Sequence, residues 1–350
     1  MIVENYTYPF EKGKPSIFVI VGSPFQALCA IEAIRDLEIQ DYKFFVCLGN
    51  SIRDEQALAL LNKYNIKYDC YKLSDILSLK GRLSILRFRY NKYKRVFVGD
   101  FRSLQSHYCA LLFASNKSTF ISLDDGNCNV SLLRNVYKLR INKISRLLSY
   151  WYFCAAAKLR RIQKDCFLYT LFSDIPNKTI LCCPNHFKNI QLFSNTDYKQ
   201  LEGVFFVGTN TCSFLDALSI QPDTFYMFLE NIFKGIKKAY VNETAIFIPH
   251  GADNDLRVKQ LCQEYGFEYE RPDTLIELYL LDKRCPPKTV YGFTSTALFT
   301  IKKMFPQTEV INILFIGNYP YYERRKSISD YYALHDIKTI AIDINGQHVV

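Results

Sequence analysis

The fold is indicated first by the stretch STFISLDDG at residues 118–126. Its apolar, β-branched and aromatic residues favour a buried strand, and the polar DDG that follows is typical of the loop after a strand. Two later stretches have the same form: TAIFIPHG at residues 244–251 and TVYGFTST at residues 289–296. In an open α/β sheet, ligands bind outside the carboxyl ends of the strands. All three stretches therefore put chemically capable side chains at the functional edge of such a sheet, which favours an enzyme.

Strand and helix patterns alternate along the chain, as expected for βαβ units and mostly parallel sheets. Strands are predicted at Ile17–Val21, Tyr42–Leu48, Arg95–Val98, Ser118–Leu123, Val204–Val207, Thr244–Ile248, Thr289–Tyr291, Glu309–Ile313 and Thr339–Ile342. Helices are predicted at Pro24–Leu37, Arg53–Tyr64, Leu73–Phe88, Arg102–Ser115, Asp223–Ala239, Asp255–Tyr265, Pro272–Leu281 and Thr296–Met304.

Residues 184–200 are polar and lack periodicity, so they are predicted to be a linker between two domains. The sequence therefore predicts an α/β protein with two Rossmann-like, doubly wound domains, at residues 1–183 and 201–350. Two such domains that face each other across a cleft form the GT-B layout of many nucleotide-sugar transferases.

The composition excludes a disordered chain, because 49% of the 350 residues are hydrophobic and 15% are aromatic. The 12 cysteines include no CxxC pair, so neither a structural zinc site nor a disulfide framework is expected. The first residues lack a basic region followed by an apolar core, so no signal peptide is predicted. Together these features predict a cytoplasmic protein with reduced thiols.

The net charge is +10, and residues 127–164 hold nine Lys and Arg but no Asp or Glu. The same segment carries Leu, Tyr, Trp and Phe, an arrangement typical of a helix that lies on an anionic membrane surface. A helical hairpin with one solvated basic face fits the pattern equally well. Nucleic acid is not an expected partner, because the aromatic residues lie mainly in apolar runs and no RNP-like or zinc motif is present.

The carboxylate pair Asp124 and Asp125 is the sharpest candidate for catalysis. Adjacent carboxylates repel each other and partial burial raises a carboxyl pKa, so one of the pair is suited to act as a general base. Gly126 permits backbone conformations that other residues avoid. The alternative is a plain turn, because Asp-Gly is common in turns.

A histidine motif, Pro249-His250-Gly251, follows the strand predicted at residues 244–248. A histidine at such a junction can donate a hydrogen bond to a phosphate, supported by helix amides. The alternative is a histidine that only fixes a turn.

A DxD pattern, Asp253-Asn254-Asp255, comes just after the histidine motif. Asp253 or Asn254 is expected to cap the next helix. The same pattern holds a metal in other transferases. Its place at a helix start favours capping, so no metal site is predicted and a metal here stays the minor alternative.

Hydroxyl groups cluster in Thr294-Ser295-Thr296, which follow Gly292 and open a predicted helix. Hydroxyls and free amides at a helix N-terminus form an anion site, although a plain N-cap is the alternative. The loop Gly208-Thr209-Asn210 has the same form and the same alternative. It lacks the lysine of a P-loop and the spacing of GxGxxG, so neither an ATPase nor an NAD fingerprint is supported.

The start of the first predicted helix carries its own signature. Gly22 and Ser23 come directly before Pro24, and Ser23 with Gln26 predicts a capping box with proline at the first helical position.

In their order, these motifs resemble those of bacterial sialyltransferases, closest to glycosyltransferase family 52 and more distantly the capsular polysialyltransferases. Those families share an acidic-acidic-glycine motif, a His-Pro motif and a Ser/Thr-rich motif. Residues 124–126 match the first and Ser295-Thr296 match the third, whereas in the second Pro249 precedes His250. Residues 22–26 and 272–277 also resemble the family.

The resemblance implies an inverting, metal-independent transferase. It would move sialic acid, or a related nonulosonic acid, from a CMP-activated donor to a hydroxyl of lipooligosaccharide, O-antigen or capsule. Asp124, or else Asp125, would deprotonate the acceptor, and His250, Ser295 and Thr296 would stabilise the leaving phosphate. The other residues expected at the donor are Gly22, Ser23, Gly208, Thr209, Asn210, Pro249, Gly251, Glu277, Gly292 and Thr294.

Two further readings stay open: a transferase that uses CMP-Kdo or CMP-pseudaminic acid, and a non-catalytic nucleotide-binding protein of polysaccharide assembly. The CMP-activated sugar is the expected co-substrate, and no other cofactor is expected. The expected location is the cytoplasm, with peripheral contact at the inner face of the membrane.

Overall fold

The computed structural model describes residues 14–49, 51–78, 93–99, 118–136, 166–188 and 202–344, together with residues 80, 106 and 112–114. The chain divides into a first unit, Met1–Asn129 with Lys138–Asn189, and a second unit, Val130–Tyr137 with Ile190–Val350. Pro184, the first residue of the predicted linker, ends a strand of the first unit. The domain limits given by the sequence stay a prediction.

The first unit is built on a parallel sheet with a Rossmann-like strand order. Its strands are β1 (Ser16–Val21), β2 (Tyr42–Leu48), β3 (Tyr68–Lys72), β4 (Arg95–Val98), β5 (Thr119–Ser122), β6 (Cys166–Thr170) and β7 (Leu181–Pro184). They form one seven-stranded sheet in the order β3-β2-β1-β4-β5-β6-β7, and all neighbouring strands are parallel. The strand order reverses between β1 and β4, which is the topological switch point of this sheet.

In the described ranges before the second sheet, the helices are α1 (Pro24–Asp36), α2 (Ile52–Lys63), α3 (Leu73–Leu77) and α4 (Cys128–Leu133). Of these, α1 is almost wholly buried over its first ten residues, so it is covered on all sides. By contrast, α2 buries one stripe that includes Ala57, Leu60 and Leu61, as expected for an amphipathic surface helix.

The second unit repeats the same topology. Its strands are β8 (Glu202–Val207), β9 (Ala245–Ile248), β10 (Glu268–Tyr269), β11 (Pro287–Gly292), β12 (Glu309–Ile316) and β13 (Lys338–Asp343). The sheet order is β10-β9-β8-β11-β12-β13, again with parallel neighbours, so the switch point lies between β8 and β11. The helices are α5 (Thr211–Leu218), α6 (Pro222–Ala239), α7 (Leu256–Glu264), α8 (Ile276–Lys283), α9 (Thr296–Met304) and α10 (Tyr322–Ala333).

Aromatic packing dominates the core of the second unit. The ring of Phe206 on β8 lies 5.5 Å from that of Phe247 and 5.2 Å from that of Phe293, measured between centroids. Phe233 of α6 stacks on Phe267 at 4.2 Å. Each such pair adds about 0.5–1.5 kcal/mol beyond the burial of its apolar area. Within the described ranges, no helix is both long and apolar enough to cross a membrane.

All the predicted strands are present, with ends that differ by a few residues, and the α/β class is confirmed. The sequence missed β3, β6, β7 and β10, and also α5 and α10, whereas α4 lies in the basic segment that was predicted to be helical. Two causes are visible. The edge strand β3 is mostly exposed and has no apolar alternation. The helix α10 buries Ser327 and Ser329 beside its apolar residues, which hides the 3.6-residue period.

Some predictions fall partly outside the described residues. The helix predicted at Leu73–Phe88 is described as α3, which ends at Leu77, and most of the one predicted at Arg102–Ser115 is not described. The basic segment 127–164 is described only up to residue 136, so its membrane-surface helix lies outside the described residues. The helix predicted from Pro272 begins later, at Ile276.

The capping box predicted for α1 is wrong. Ser23 is the N-cap, but its side chain makes no capping hydrogen bond. The Gln26 side chain instead accepts a hydrogen bond at 3.0 Å from the backbone amide of Val21, at the end of β1. Gln26 also fills the space beside Gly99 after β4, where an added Cβ would lie 1.7 Å from its Oε1 atom. The Gln26 side chain therefore fills the space between the ends of β1 and β4, at the switch point of the first sheet.

Gly99→Ala should destabilise the protein by about 1–3 kcal/mol, because the methyl group must displace the buried Gln26 side chain. The free energy of unfolding from urea titration measures this effect. Gly235→Ala is the matched control: Gly235 lies inside α6 with nothing within 4 Å of an added Cβ. That substitution should stabilise by about 0.5–1 kcal/mol, because alanine loses less backbone entropy in a helix. Equal changes in the free energy of unfolding for the two variants would contradict this role of Gln26.

Candidate functional site

The switch point of the second sheet is closely packed between two glycine loops. Gly208 follows β8, and a Cβ there would lie 2.7 Å from the ring of Phe247. Gly292 ends β11, and a Cβ there would lie 3.0 Å from the carbonyl oxygen of Val207. Any larger residue at either strand end would crowd its neighbours, and the two predicted hydroxyl motifs begin directly beyond these glycines.

Thr294 has a backbone conformation that is rare for its residue type. Its φ of 46° lies in the left-handed region, which is strained for a β-branched residue. Its amide donates a 2.8 Å hydrogen bond to Oδ1 of Asn312, a fully buried side chain on β12. The Nδ2 atom of Asn312 donates to Ser329 at 2.8 Å and to Thr339 at 3.3 Å, which fixes the amide orientation. Asn312 thus holds the strained turn in place.

The turn ends at the N-terminus of α9. Ser295 is the N-cap, and its Oγ accepts a hydrogen bond from the amide of Ala297 at 3.3 Å. Tyr332 of α10 donates at 2.8 Å to the carbonyl oxygen of Ser295. Ser295 and Thr296 are partly exposed, as an anion site at this helix end requires. Their contact with a phosphate stays a prediction.

The N-terminus of α5, beyond Gly208 and Thr209, is already occupied by protein groups. Asn210 is its N-cap and accepts from the amide of Ser213 at 2.9 Å. The Asp253 carboxylate accepts from the amide and the hydroxyl of Thr211, at 3.0 and 3.3 Å. Because a negative charge already sits at this helix end, a phosphate is better accommodated at α9.

The two aspartates of the DxD segment form hydrogen bonds that connect helices of the second unit. Asp255, and not Asp253 or Asn254, is the N-cap of α7, so that part of the sequence prediction is wrong. The Asp255 carboxylate accepts from the amides of Arg257 and Val258 and from the hydroxyl of Tyr226. In the described part of the chain, no group of three or more His, Cys, Asp and Glu could hold a metal ion.

His250 is exposed after the buried Pro249 at the end of β9. Its Nδ1 atom accepts a hydrogen bond from the amide of Ala252 at 3.2 Å, and Gly251 lies between them. A neutral ring with an accepting Nδ1 carries its proton on Nε2, so Nε2–H is a donor. Two strand spacings of about 4.8 Å separate β9 from β11, so both motifs lie on the same stretch of sheet edge.

Glu277 is a buried carboxyl group on α8. Its Oε1 atom forms a 2.6 Å hydrogen bond with the hydroxyl of Thr300 on α9. Burial raises the pKa of Glu277, and the hydrogen bond from Thr300 offsets part of this. This contact joins α8 to the helix that carries Ser295, and a direct contact of Glu277 with a ligand stays a prediction.

In the first unit, the two carboxylates of the DDG motif have different surroundings. Asp124 is fully buried, and its Oδ1 atom accepts from Asn129 Nδ2 at 2.7 Å and from Thr170 Oγ1 at 2.6 Å. Its Oδ2 atom accepts from the amide of Leu171 at 2.8 Å. Asp125 is partly exposed. Asp124 is thus held between β5, α4 and the end of β6, and Asp125 is the accessible member.

Two buried polar atoms near the loop after β1 have no hydrogen-bond partners in the described ranges: Ser23 Oγ in the loop itself and Asp54 Oδ1 on α2. Gly22 has a φ of 61°, and the other Asp54 oxygen accepts from the amides of Gly49 and Ser51. Donor contacts of Gly22 and Ser23 stay a prediction.

Sequence reasoning missed three side chains that build these sites: Asn129, Thr170 and Asn312. Asn312 had a usable signal, because it is a lone amide within the apolar strand EVINILFI. No comparable signal marks Thr170, because the strand that carries it was not predicted.

Solved structures with a similar fold include an epimerase and two glycosyltransferases. A candidate UDP-N-acetylglucosamine 2-epimerase of Listeria monocytogenes is 13% identical, with a TM-score of 0.53 over 90% of this chain and 82% of that one. A 2,6-sialyltransferase of Photobacterium sp. JT-ISH-224, solved with CMP and lactose, is 13% identical, with a TM-score of 0.51 over 93% and 78%. A glycosyltransferase of Rickettsia africae is 10% identical, with a TM-score of 0.50 over 93% and 90%.

The chain has the GT-B fold. The predicted fold class, with two Rossmann-like units, is confirmed by these likenesses and by the two sheets. At this level of identity the likeness concerns the GT-B fold alone. No protein-family model matches the sequence, and no curated protein matches it significantly.

Glu277→Gln should make the GT-B protein more stable at neutral pH. The folded state raises the pKa of this carboxyl group, so its stabilising contribution is complete below the unfolded pKa of about 4.3 and is lost as the pH rises through the folded value. Glutamine stays neutral throughout. The stability difference should therefore be small in acid and grow with pH, by about 1.4 kcal/mol per unit of pKa shift.

Chemical denaturation of both proteins between pH 4 and pH 8 measures this difference. Glu268→Gln, at an exposed position on β10, serves as the control and should give a constant offset. Parallel curves for wild type and Glu277→Gln would contradict the assignment.

Proposed function

We propose that the protein is an inverting, metal-independent glycosyltransferase. It moves a nonulosonic acid, such as sialic acid, from a CMP-activated donor to a hydroxyl of a bacterial surface glycan. The observation that carries this proposal is the strained Thr294 turn, held by Asn312 at the switch point and followed by Ser295 and Thr296. The order of motifs shared with family 52 supports the choice of donor.

The turn suits a reaction that releases an anion. When CMP leaves the sugar, negative charge develops on a phosphate oxygen, and fixed hydrogen-bond donors stabilise such charge without reorganising. Ser295, Thr296 and the N-terminal amides of α9 supply these donors, and His250 adds Nε2–H. Hydrogen bonds of this kind take the place that a metal has in other transferases.

The reaction also needs a base for the acceptor hydroxyl, and we assign this role to Asp125. The sequence favoured Asp124, but Asp124 is fully buried and both of its oxygens accept hydrogen bonds from the protein, so it is not placed to reach a substrate. Asp125 is partly exposed, so it can reach a substrate. Asp124 then fixes the turn that presents Asp125.

The acceptor is a glycan or glycolipid, and the protein works in the cytoplasm, with peripheral contact to the anionic inner face of the membrane through the basic segment. The lactose bound by the Photobacterium enzyme does not identify the acceptor of this chain. The acceptor sugar and the linkage must therefore be found by assay. CMP-Kdo and CMP-pseudaminic acid are the donors to compare with CMP-sialic acid.

Calorimetry with CMP and UDP, followed by hydrolysis assays with the three CMP-linked donors, tests the proposal. Wild type should bind CMP more tightly than UDP and should release CMP slowly from one of the donors. Tight CMP binding without hydrolysis or transfer would favour a non-catalytic assembly protein. Preference for UDP would contradict the CMP-linked donor.

Asp125→Asn should lower transfer by roughly a hundredfold or more, the scale expected for loss of a general base. Its stability and CMP affinity should stay near those of wild type, because the side chain is partly exposed. Asp124→Asn should instead lower the free energy of unfolding by about 1–3 kcal/mol, because the new NH₂ group cannot accept the hydrogen bonds of the buried carboxylate.

Transfer rates and urea titrations of the two variants decide between the two aspartates. Normal transfer by Asp125→Asn, together with a stable but inactive Asp124→Asn, would return the role of base to Asp124.

A further inference from the structure

Arg325 is a cation at the carboxyl edge of the second sheet that the site described above does not use. The chain leaves β12 at Ile316 and enters α10 at Tyr322, so Arg325 lies in the first turns of that helix. Its guanidinium carbon lies 4.4 Å from the ring centroid of Phe214, in the first turns of α5. A side chain from beyond β12 thus reaches the loop region that follows β8.

Phe214 links this guanidinium to the aromatic cluster that packs under the strained turn. The ring of Phe214 lies 5.0 Å from that of Phe293 and 5.9 Å from that of Phe315, between centroids. Phe293 directly precedes Thr294, and β11 lies between β8 and β12 in the sheet. Arg325 therefore packs on an aromatic cluster that includes Phe293, the residue before the turn that leads to α9, where Ser295 and Thr296 are partly exposed.

Within the described chain, Arg325 is a cation without an anionic partner. Its side chain forms no hydrogen bond and no ion pair there, whereas its neighbour Lys326 pairs with Asp330 at 2.9 Å. Glu323, the acidic residue nearest in sequence, is exposed. Burial, opposed in part by Tyr319 and aided by the like charge of Arg324, lowers the pKa of Arg325 to about 10.

A partly desolvated guanidinium is costly unless an anion faces it. The contact with Phe214 offsets some of this cost, but an aromatic face leaves the planar N–H fork unused. That fork matches the two oxygens of a phosphate or a carboxylate. Packing against Phe214 alone does not need these N–H groups, so a purely structural role would leave them without a function.

We propose that Arg325 binds an oxyanion of the donor substrate at the N-terminus of α9. This rests on the proposed function, because a CMP-linked nonulosonic acid carries two oxyanions, the phosphate and the sugar carboxylate. Both present the pair of oxygens that a guanidinium recognises, and the experiment separates them.

Arg325→Gln removes the charge, and Lys326→Gln removes a charge one residue along the same helix at an exposed, ion-paired position. Calorimetry compares both variants with wild type for three ligands: cytidine, CMP and CMP-sialic acid. Thermal unfolding without ligand reports whether each variant is folded.

If Arg325 binds the phosphate, Arg325→Gln should lower the affinity for CMP and for CMP-sialic acid by about tenfold to a hundredfold, and the affinity for cytidine should not change. If Arg325 binds the sugar carboxylate, the affinity should fall by that factor only for CMP-sialic acid. Either result supports the proposal, provided that Lys326→Gln changes the affinities less than about threefold. Unchanged affinities in a folded Arg325→Gln protein, or an equal loss in both variants, would overturn it.

A second measurement on the wild-type protein applies if Arg325→Gln does not fold. Phenylglyoxal modifies arginine, and peptide mass spectrometry gives the rate at Arg325. Saturating CMP or CMP-sialic acid should slow this rate at least severalfold, and cytidine should not. An unchanged rate with both anionic ligands would overturn the proposal.

The two proposals can fail separately. If wild type binds UDP and not CMP, and Arg325→Gln weakens UDP, the anion site stands and the CMP-linked donor is wrong. If wild type binds and hydrolyses CMP-sialic acid while Arg325→Gln does so equally well, the proposed function stands and the role of Arg325 is wrong.

Discussion

The hydrogen bond from the Thr294 amide to the buried side chain of Asn312 is the constraint on which the second unit's site depends. A threonine with a φ of 46° does not adopt this turn without a cost of roughly 1–3 kcal/mol. Asn312 offsets that cost, because its amide is fully buried and its other end is held by Ser329 and Thr339. The direction of α9, and with it the position of Ser295, follows from this one contact between neighbouring strands.

Buried polar groups have a similar role in the first unit. Asp124 joins β5 to α4 and to the end of β6, and Asp54 joins the loop after β2 to the start of α2. An unpaired buried carboxylate is costly, so each of these groups restricts the loop to conformations that satisfy it. Loops at the carboxyl ends of the strands are thereby fixed before any ligand arrives, which is what a preorganised site needs.

The same logic separates the charges that are satisfied within the protein from those that are not. Asp253 and Asp255 look like metal ligands in sequence, yet their oxygens are used by Thr211, Tyr226 and the N-terminus of α7. Arg325 looks like one more surface arginine, yet it is partly buried against Phe214 without an acid to face. Burial and pairing, and not residue type, decide which of these groups are available to a ligand.

The sequence by itself determined the α/β class and, to within a few residues, the ends of the strands it predicted, because apolar runs and the Gly, Pro and Asp residues that interrupt them act over a few residues. The runs before Asp124, Pro249 and Thr294 are strands, as their β-branched and aromatic residues indicated. The capping box of α1 and the cap of α7 could not be assigned, because local motifs leave several hydrogen-bond partners possible. Tertiary structure alone decided that Asn312 meets Thr294, that Thr170 meets Asp124 and that Arg325 meets Phe214. These pairs are 18, 46 and 111 residues apart, and only the sheet order brings them together.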